Sequence, residues 1–86
     1  MKLINIGFGN YISFDRVISI LSIESSPIKR LMRLAKEKNI LIDATCGRKT
    51  ESVLIMDTGH VVLSALSSEN IANRFYKEDK TDLETL

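Results

Sequence analysis

The chain has 86 residues, 44% of them hydrophobic, with a net charge of +1 and one cysteine. That is one domain, burying only about 60% of the surface its unfolded chain exposes, so the core is thin and a partner subunit would help stabilise it. A single cysteine excludes an intrachain disulfide, and no apolar stretch has the length of a signal peptide or membrane span, so a cytoplasmic protein with no membrane partner is expected.

Lys2 to Ile6 reads as a first strand, with Ile4 and Ile6 on one side of Asn5. Gly7-Phe8-Gly9-Asn10 ends it as a turn; the Gly-x-Gly lacks the third glycine and the following helix of a nucleotide-binding loop. Tyr11 to Ser13 suits a short strand, Asp15-Arg16 a loop or strand edge, and the β-branched run Val17 to Ser22 a second main strand. Ser25-Ser26-Pro27 starts a helix, with Ser26 as cap and Pro27 preset for the first helical position. The helix runs to about Lys38 and stops at Asn39, which tolerates a left-handed C-cap. Ile28, Leu31, Met32 and Ala35 recur at i, i+3, i+4, i+7 and form one buried stripe. Lys29, Arg30, Arg33 and Lys36 occupy much of the remainder; such a face is usually just solvated, but it is also how a protein meets a phosphate backbone.

A third strand spans Ile40 to Ala44, and the turn Thr45-Cys46-Gly47-Arg48-Lys49-Thr50 follows. Gly47 reverses the chain at no steric cost, which leaves Arg48, Lys49, the Thr50 hydroxyl and free N–H groups at a loop tip suited to one phosphate; the alternative is that two cations merely keep a turn solvated. Cys46 beside two cations is a candidate reactive thiol, though more often such a residue is a small half-buried filler. A fourth strand spans Ser52 to Asp57 and a fifth His60 to Leu66, joined through the hairpin chemistry of Asp57-Thr58-Gly59-His60 and pairing antiparallel. Ser68 can cap a last helix from about Glu69 to Tyr76 with an apolar stripe of Ile71, Ala72, Phe75 and Tyr76. Residues 77–86 are expected to form a polar, flexible tail after a 1–76 domain. The fold class is thus α+β: a small antiparallel-rich sheet of about five strands with two helices.

Chemistry-bearing motifs are scarce. The lone His60, without a ligand set at metal-binding spacing, reads as structural, and no paired carboxylates or nucleophile–base pair stand in a motif. An enzyme is not expected, nor a cofactor or metal. Charge is more informative. Lys29, Arg30, Arg33, Lys36, Lys38, Arg48 and Lys49 face only Glu37 and Asp43 in that span, whereas the tail is mildly acidic, and this favours an anionic partner.

Ile4-Asn5-Ile6-Gly7-Phe8-Gly9-Asn10, Ser26-Pro27-Ile28-Lys29-Arg30, Leu41-Ile42-Asp43-Ala44-Thr45, Gly47-Arg48-Lys49-Thr50 and Ile55-Met56-Asp57 together resemble the RemA family, the extracellular matrix regulatory proteins of Gram-positive bacteria. The resemblance covers roughly residues 3 to 72. It implies a DNA-binding transcriptional regulator that activates biofilm matrix operons and assembles into a ring with double-stranded DNA running along its outside. It also implies that Arg16, Arg48 and Lys49 contact DNA, and that Pro27 serves DNA contact or assembly; the basic face of the first helix and the turn itself add Lys29, Arg30, Arg33 and Thr50 as candidates for DNA binding or assembly. Departures from the family pattern are Lys49 in place of a second arginine, Cys46 in place of an aromatic residue, Asp15 before Arg16, where it can pair with that cation, and Ile23 in place of a proline.

Three phosphate contacts per protomer, each contributing about −0.9 to the slope of log K against log salt, give weak binding alone; repeated on one ring they act together on one DNA. The competing classes are an RNA or phosphorylated-ligand binder using the Gly47–Thr50 loop and a non-catalytic protein-interaction module. For Arg16 the alternative to DNA contact is an ion pair across a subunit interface, with Asp43 or Glu51 as partner.

Overall fold

The computed structural model describes the backbone of residues 2–85 and the side chains of residues 2–78. In chain order the elements are β1 (Leu3–Gly7), β2 (Asn10–Ser13), a one-turn 3-10 helix (Phe14–Arg16), β3 (Val17–Ser22), α1 (Ser26–Glu37), β4 (Leu41–Asp43), β5 (Ser52–Met56), β6 (Val61–Ser64) and α2 (Ser68–Thr85). The class is α+β, but the strands form two sheets rather than one. β1 and β2 pair as a separate hairpin, and the other four lie in the order β3-β5-β6-β4. β5 pairs antiparallel with both β3 and β6, while β4 runs parallel to β6. The parallel pair follows from α1: a helical crossover after β3 returns the chain to the end of the sheet where β3 began.

β5 and β6 are buried on both faces and so read as continuous apolar runs. Val53, Val61 and Leu63 face α1, whose Ala35 is buried against them with Ile28, Leu31 and Met32 alongside. Leu54 and Val62 face the opposite way, into a second cluster with Ile4, Ile6 and Ile12 of the hairpin and Ile71 of α2. Two buried serines anchor this second layer: Ser64 Oγ donates to the Ile6 carbonyl at 2.7 Å and Ser52 Oγ to the Leu66 carbonyl at 2.7 Å.

α1 begins one residue earlier than expected. Ser25 takes the N-cap position and Pro27 lies inside the first turn, where an absent N–H costs nothing. Its C-terminus is a Schellman motif: Asn39 adopts φ 57°, Ile40 N–H donates to the Ala35 carbonyl at 3.0 Å and Asn39 N–H to that of Lys36 at 3.2 Å. Ser67, not Ser68, caps α2, its hydroxyl accepting from Asn70 N–H at 3.1 Å. Of the expected α2 stripe, Ile71 is buried and Phe75 stacks on Phe14 with ring centroids 5.2 Å apart, but Ala72 and Tyr76 are exposed. α2 continues past Tyr76, where the apolar pattern ends, to Thr85. The expected flexible tail falls mostly on residues whose side chains lie outside the described set.

Gly7 is where the hairpin meets the sheet most closely. It has φ +108°, and a Cβ there would lie 3.2 Å from Leu66 Cγ. Gly7→Ala is expected to destabilise the fold by about 1–3 kcal/mol through this conformation and contact. Chemical denaturation checks it, with Gly9→Ala, in open space, as the reference for φ strain alone.

Candidate nucleic-acid interface

The loop from β4 to β5 is built from local bonds. Asp43 Oδ1 accepts from Thr45 N–H at 2.9 Å and from the Thr45 hydroxyl at 2.6 Å, and Thr45 is buried. Arg48 N–H then bonds the Thr45 carbonyl at 3.1 Å, closing a turn whose central residues, Cys46 (φ 54°) and Gly47 (φ 79°), are both left-handed. Positive φ at both positions is the type I′ pattern. Cys46 is therefore an exposed turn residue rather than a half-buried filler. Arg48 and Lys49 are exposed and Thr50 is half-buried, before Glu51 N–H rejoins the sheet at the Ser64 carbonyl, 2.8 Å away. Thr45 holds the Asp43 carboxyl below the ordinary carboxylate range, chiefly by its hydroxyl and then by its N–H.

A second turn braces the first. Gly7, Phe8 and Gly9 take φ 108°, 55° and 79° in succession, which folds the β1–β2 connection against the loop. Asn10 Nδ2 donates to the Ala44 carbonyl at 3.1 Å and lies 3.8 Å from Cys46 Sγ, while Cys46 Sγ lies 4.0 Å from the Phe8 carbonyl oxygen. The Phe8 ring lies under the Arg48 guanidinium, with Cζ 4.2 Å from the ring centroid. Among the described residues, neither Arg48 nor Lys49 has a carboxylate partner at ion-pair distance. The Gly7–Asn10 segment, a plain turn by its sequence, thus supports the cationic loop. Phe8 and Asn10 belong to the site although neither is marked by charge or motif. The one signal in the sequence is an aromatic residue between two glycines.

The other candidates are distributed unevenly. Lys29 lines one cleft with Lys49, Thr50, Ile23 and Glu24, so the start of α1 and the loop share an end of the sheet. Pro27 is exposed beside that cleft, in the first turn of α1, and Arg30 and Arg33 are exposed farther along the helix. Arg16 lies elsewhere. It precedes β3 where Asp57 N–H bonds its carbonyl at 2.7 Å, and within the chain its guanidinium pairs with Asp57 Oδ2 at 3.0 Å, not with the preceding Asp15. The length of β5, five residues, separates this end from the loop, about 17 Å at about 3.3 Å per residue. Among the described residues no group of three or more His, Cys, Asp or Glu side chains is placed to hold a metal ion, and no helix is long and apolar enough to cross a membrane. His60 Nδ1 lies 2.6 Å from Thr58 Oγ1 in the β5–β6 turn.

Residues 3–75 match the model of the RemA-like family, described as extracellular matrix regulatory protein A-like. A protein of Cyanothece sp. is 63% identical over 75 residues, 87% of this chain and 82% of its own length. One of Halalkalibacterium halodurans is 55% identical over 84 residues, covering 98% of this chain and 94% of its own. A third, of Dictyoglomus turgidum, is 56% identical over 82 residues, 95% and 96% of the two chains. Their names describe them as regulatory proteins without assigning a target.

Because the folded Asp43 carboxyl titrates below its unfolded value, the support it gives the turn is complete above the ordinary aspartate range, about pH 3.9, and is lost as pH falls through the lowered value. In an NMR titration, the Thr45 amide resonance is expected to stay put down to that range and move only below it. A midpoint at or above the ordinary value would contradict these two bonds, and Asp43→Ala should abolish the transition.

Proposed function

The chain belongs to the RemA-like family, and we propose that it is a cytoplasmic DNA-binding transcriptional regulator, an activator of biofilm matrix genes, that works as a ring-shaped homo-oligomer. The observation that carries DNA contact is the Arg48–Lys49 tip: two exposed cations without carboxylate partners among the described residues, on a loop braced from a second hairpin. A loop held in this way loses little freedom when it meets a phosphate, so more of each charge–charge contact appears as affinity. Lys29, across the shared cleft, extends the same cationic end.

Assembly rests on the sheet edges. β3 and β4 are the two outer strands of the four-stranded sheet, and their pairing makes them run in the same direction. β3 carries no charged residue, and its register shift between Val17 and Ser19 turns Ile18 outward, 66% exposed; Ile42 on β4 is 49% exposed. An uncharged open edge such as β3, facing the apolar Leu41 and Ile42 of a copy's β4, favours association. Two different edges, one from each copy, make a head-to-tail contact, which closes into a ring when the rotation allows. Such a ring repeats the Arg48–Lys49 tip along one rim, and the weak binding of single protomers adds along a duplex.

Light scattering and duplex binding across a salt series, on the same samples, test both halves. Arg48→Ala/Lys49→Ala is expected to keep the assembly while weakening duplex binding at least tenfold and flattening the salt slope by about 0.9 for each phosphate no longer neutralised. Ile18→Asp is expected to break the assembly and abolish DNA binding with every cation intact. Unchanged duplex binding by the double variant removes the DNA reading. Failure of that variant to assemble makes the loop an interface, and full DNA affinity in a monomeric Ile18→Asp protein removes the need for a ring.

A further inference from the structure

Phe8 stands in an unfavourable place for its residue type. It has φ 55°, a region open to Gly and tolerated by Asn but uncommon for a bulky side chain. Burial does not compensate: the ring is 46% exposed and joins neither core cluster. What the aromatic ring does contact is Arg48, whose Cζ lies 4.2 Å from its centroid. Its own backbone is fixed by the same neighbours that fix the Arg48 loop, through Asn10 to the Ala44 carbonyl at 3.1 Å and Cys46 Sγ at 4.0 Å from the Phe8 carbonyl. The ring and the cation therefore stand on two turns that are in contact with each other.

We propose that Phe8 is a positioning residue for Arg48, holding the guanidinium by its face so that the N–H donors along its edge stay open to a single DNA phosphate. This rests on the DNA-binding reading of the loop. The chemistry favours arginine at this position, because a guanidinium stacks through its plane and donates within it, so the two interactions do not compete. A free arginine must give up several rotors on binding phosphate, and one already on an aromatic face gives up fewer. The contact also accounts for an aromatic residue in a turn that glycine or asparagine would enter more easily.

Phe8→Asn removes the ring while suiting the left-handed backbone, and Phe8→Tyr keeps the ring. Duplex affinity at fixed salt is measured for both, for Arg48→Ala and for Phe8→Asn/Arg48→Ala, with light scattering confirming equal assembly, and Arg48 is located in crystal structures of the unaltered protein and of Phe8→Asn. The expected result is a loss of about two- to fivefold for Phe8→Asn, none for Phe8→Tyr, and no further loss when Phe8→Asn is added to Arg48→Ala. In the crystals Arg48 should lie on the ring in the unaltered protein and lose its fixed place in Phe8→Asn. Equal losses from Phe8→Asn with and without Arg48 would overturn the proposal, since the ring would then act through general structure. Wild-type affinity of Phe8→Asn, or an Arg48 that keeps its place without the ring, overturns it as well. If Arg48→Ala binds duplex normally, the DNA reading of this loop fails instead, and the two crystal structures still decide whether Phe8 holds Arg48.

Discussion

The candidate site depends on how the β1–β2 hairpin is seated on the four-stranded sheet, and a buried hydrogen bond from Ser64, together with that of Asn10 to the Ala44 carbonyl, directs that seat. The hairpin shares no strand ladder with the sheet. Most of what holds it is apolar contact between Ile4, Ile6 and Ile12 and the layer of Leu54, Val62 and Ile71, which resists separation but is not directional. Ser64 Oγ, donating to the Ile6 carbonyl at 2.7 Å and accepting from Leu66 N–H at 3.1 Å, adds direction. Sliding the hairpin by one residue would leave the Ser64 hydroxyl proton and the Ile6 carbonyl without each other, at a cost of about 1–3 kcal/mol for a buried polar group left unpaired. Leu66 is held in turn by Ser52 and closes against Gly7. With that height fixed, the Gly7–Asn10 turn meets the Ala44–Arg48 turn and Phe8 lies under Arg48. The geometry of the cation at the tip thus depends in part on serines in the core.

Much of the fold is legible where a local signal decides it. β3 spans Val17–Ser22 as its β-branched run implies, the stripe of Ile28, Leu31, Met32 and Ala35 faces the sheet, and Asn39 is left-handed at the end of α1. The division into two sheets is not legible, because a hairpin that stacks on a sheet and one that extends it have the same alternation. The parallel placement of β4 rests on three residues, too few to carry a pattern. Ser52 and Ser64 look like polar interruptions in apolar strands, yet both are fully buried, since each finds a carbonyl across the core. At the site, Gly47 and the two cations can be read from the turn chemistry. The pairing of Phe8 with Arg48 cannot, because it joins positions 40 residues apart that meet only through the seat of the hairpin.

Arg16 complicates any picture of a single patch, because it stands at the other end of β5 from Arg48 and Lys49. Its pair with Asp57 is exposed on both sides. Ion pairs of that kind contribute about 0–1 kcal/mol, so the guanidinium can exchange Asp57 for a phosphate at little cost. It also begins the open edge strand β3. In a head-to-tail ring the neighbouring protomer's β4 would lie along that edge, and Arg16 would stand next to the junction. In that ring a substitution at Arg16 would bear on the junction as well as on any contact with phosphate.

The two tip cations then have different parts in the proposed complex. Lys49 keeps the charge that an arginine would bring and lacks only the fork. Since counterion release follows the number of phosphates neutralised, a lysine preserves the salt-dependent share of the affinity. The fork matters where a guanidinium is held in one orientation, and Phe8 provides that support at position 48. Lys49 instead borders an open cleft with Thr50 and Lys29, where a flexible ammonium can follow the backbone of whichever sequence lies above it. In that proposed complex lysine at 49 would leave attraction to any duplex intact, and the oriented contact that distinguishes one backbone geometry from another would fall to Arg48.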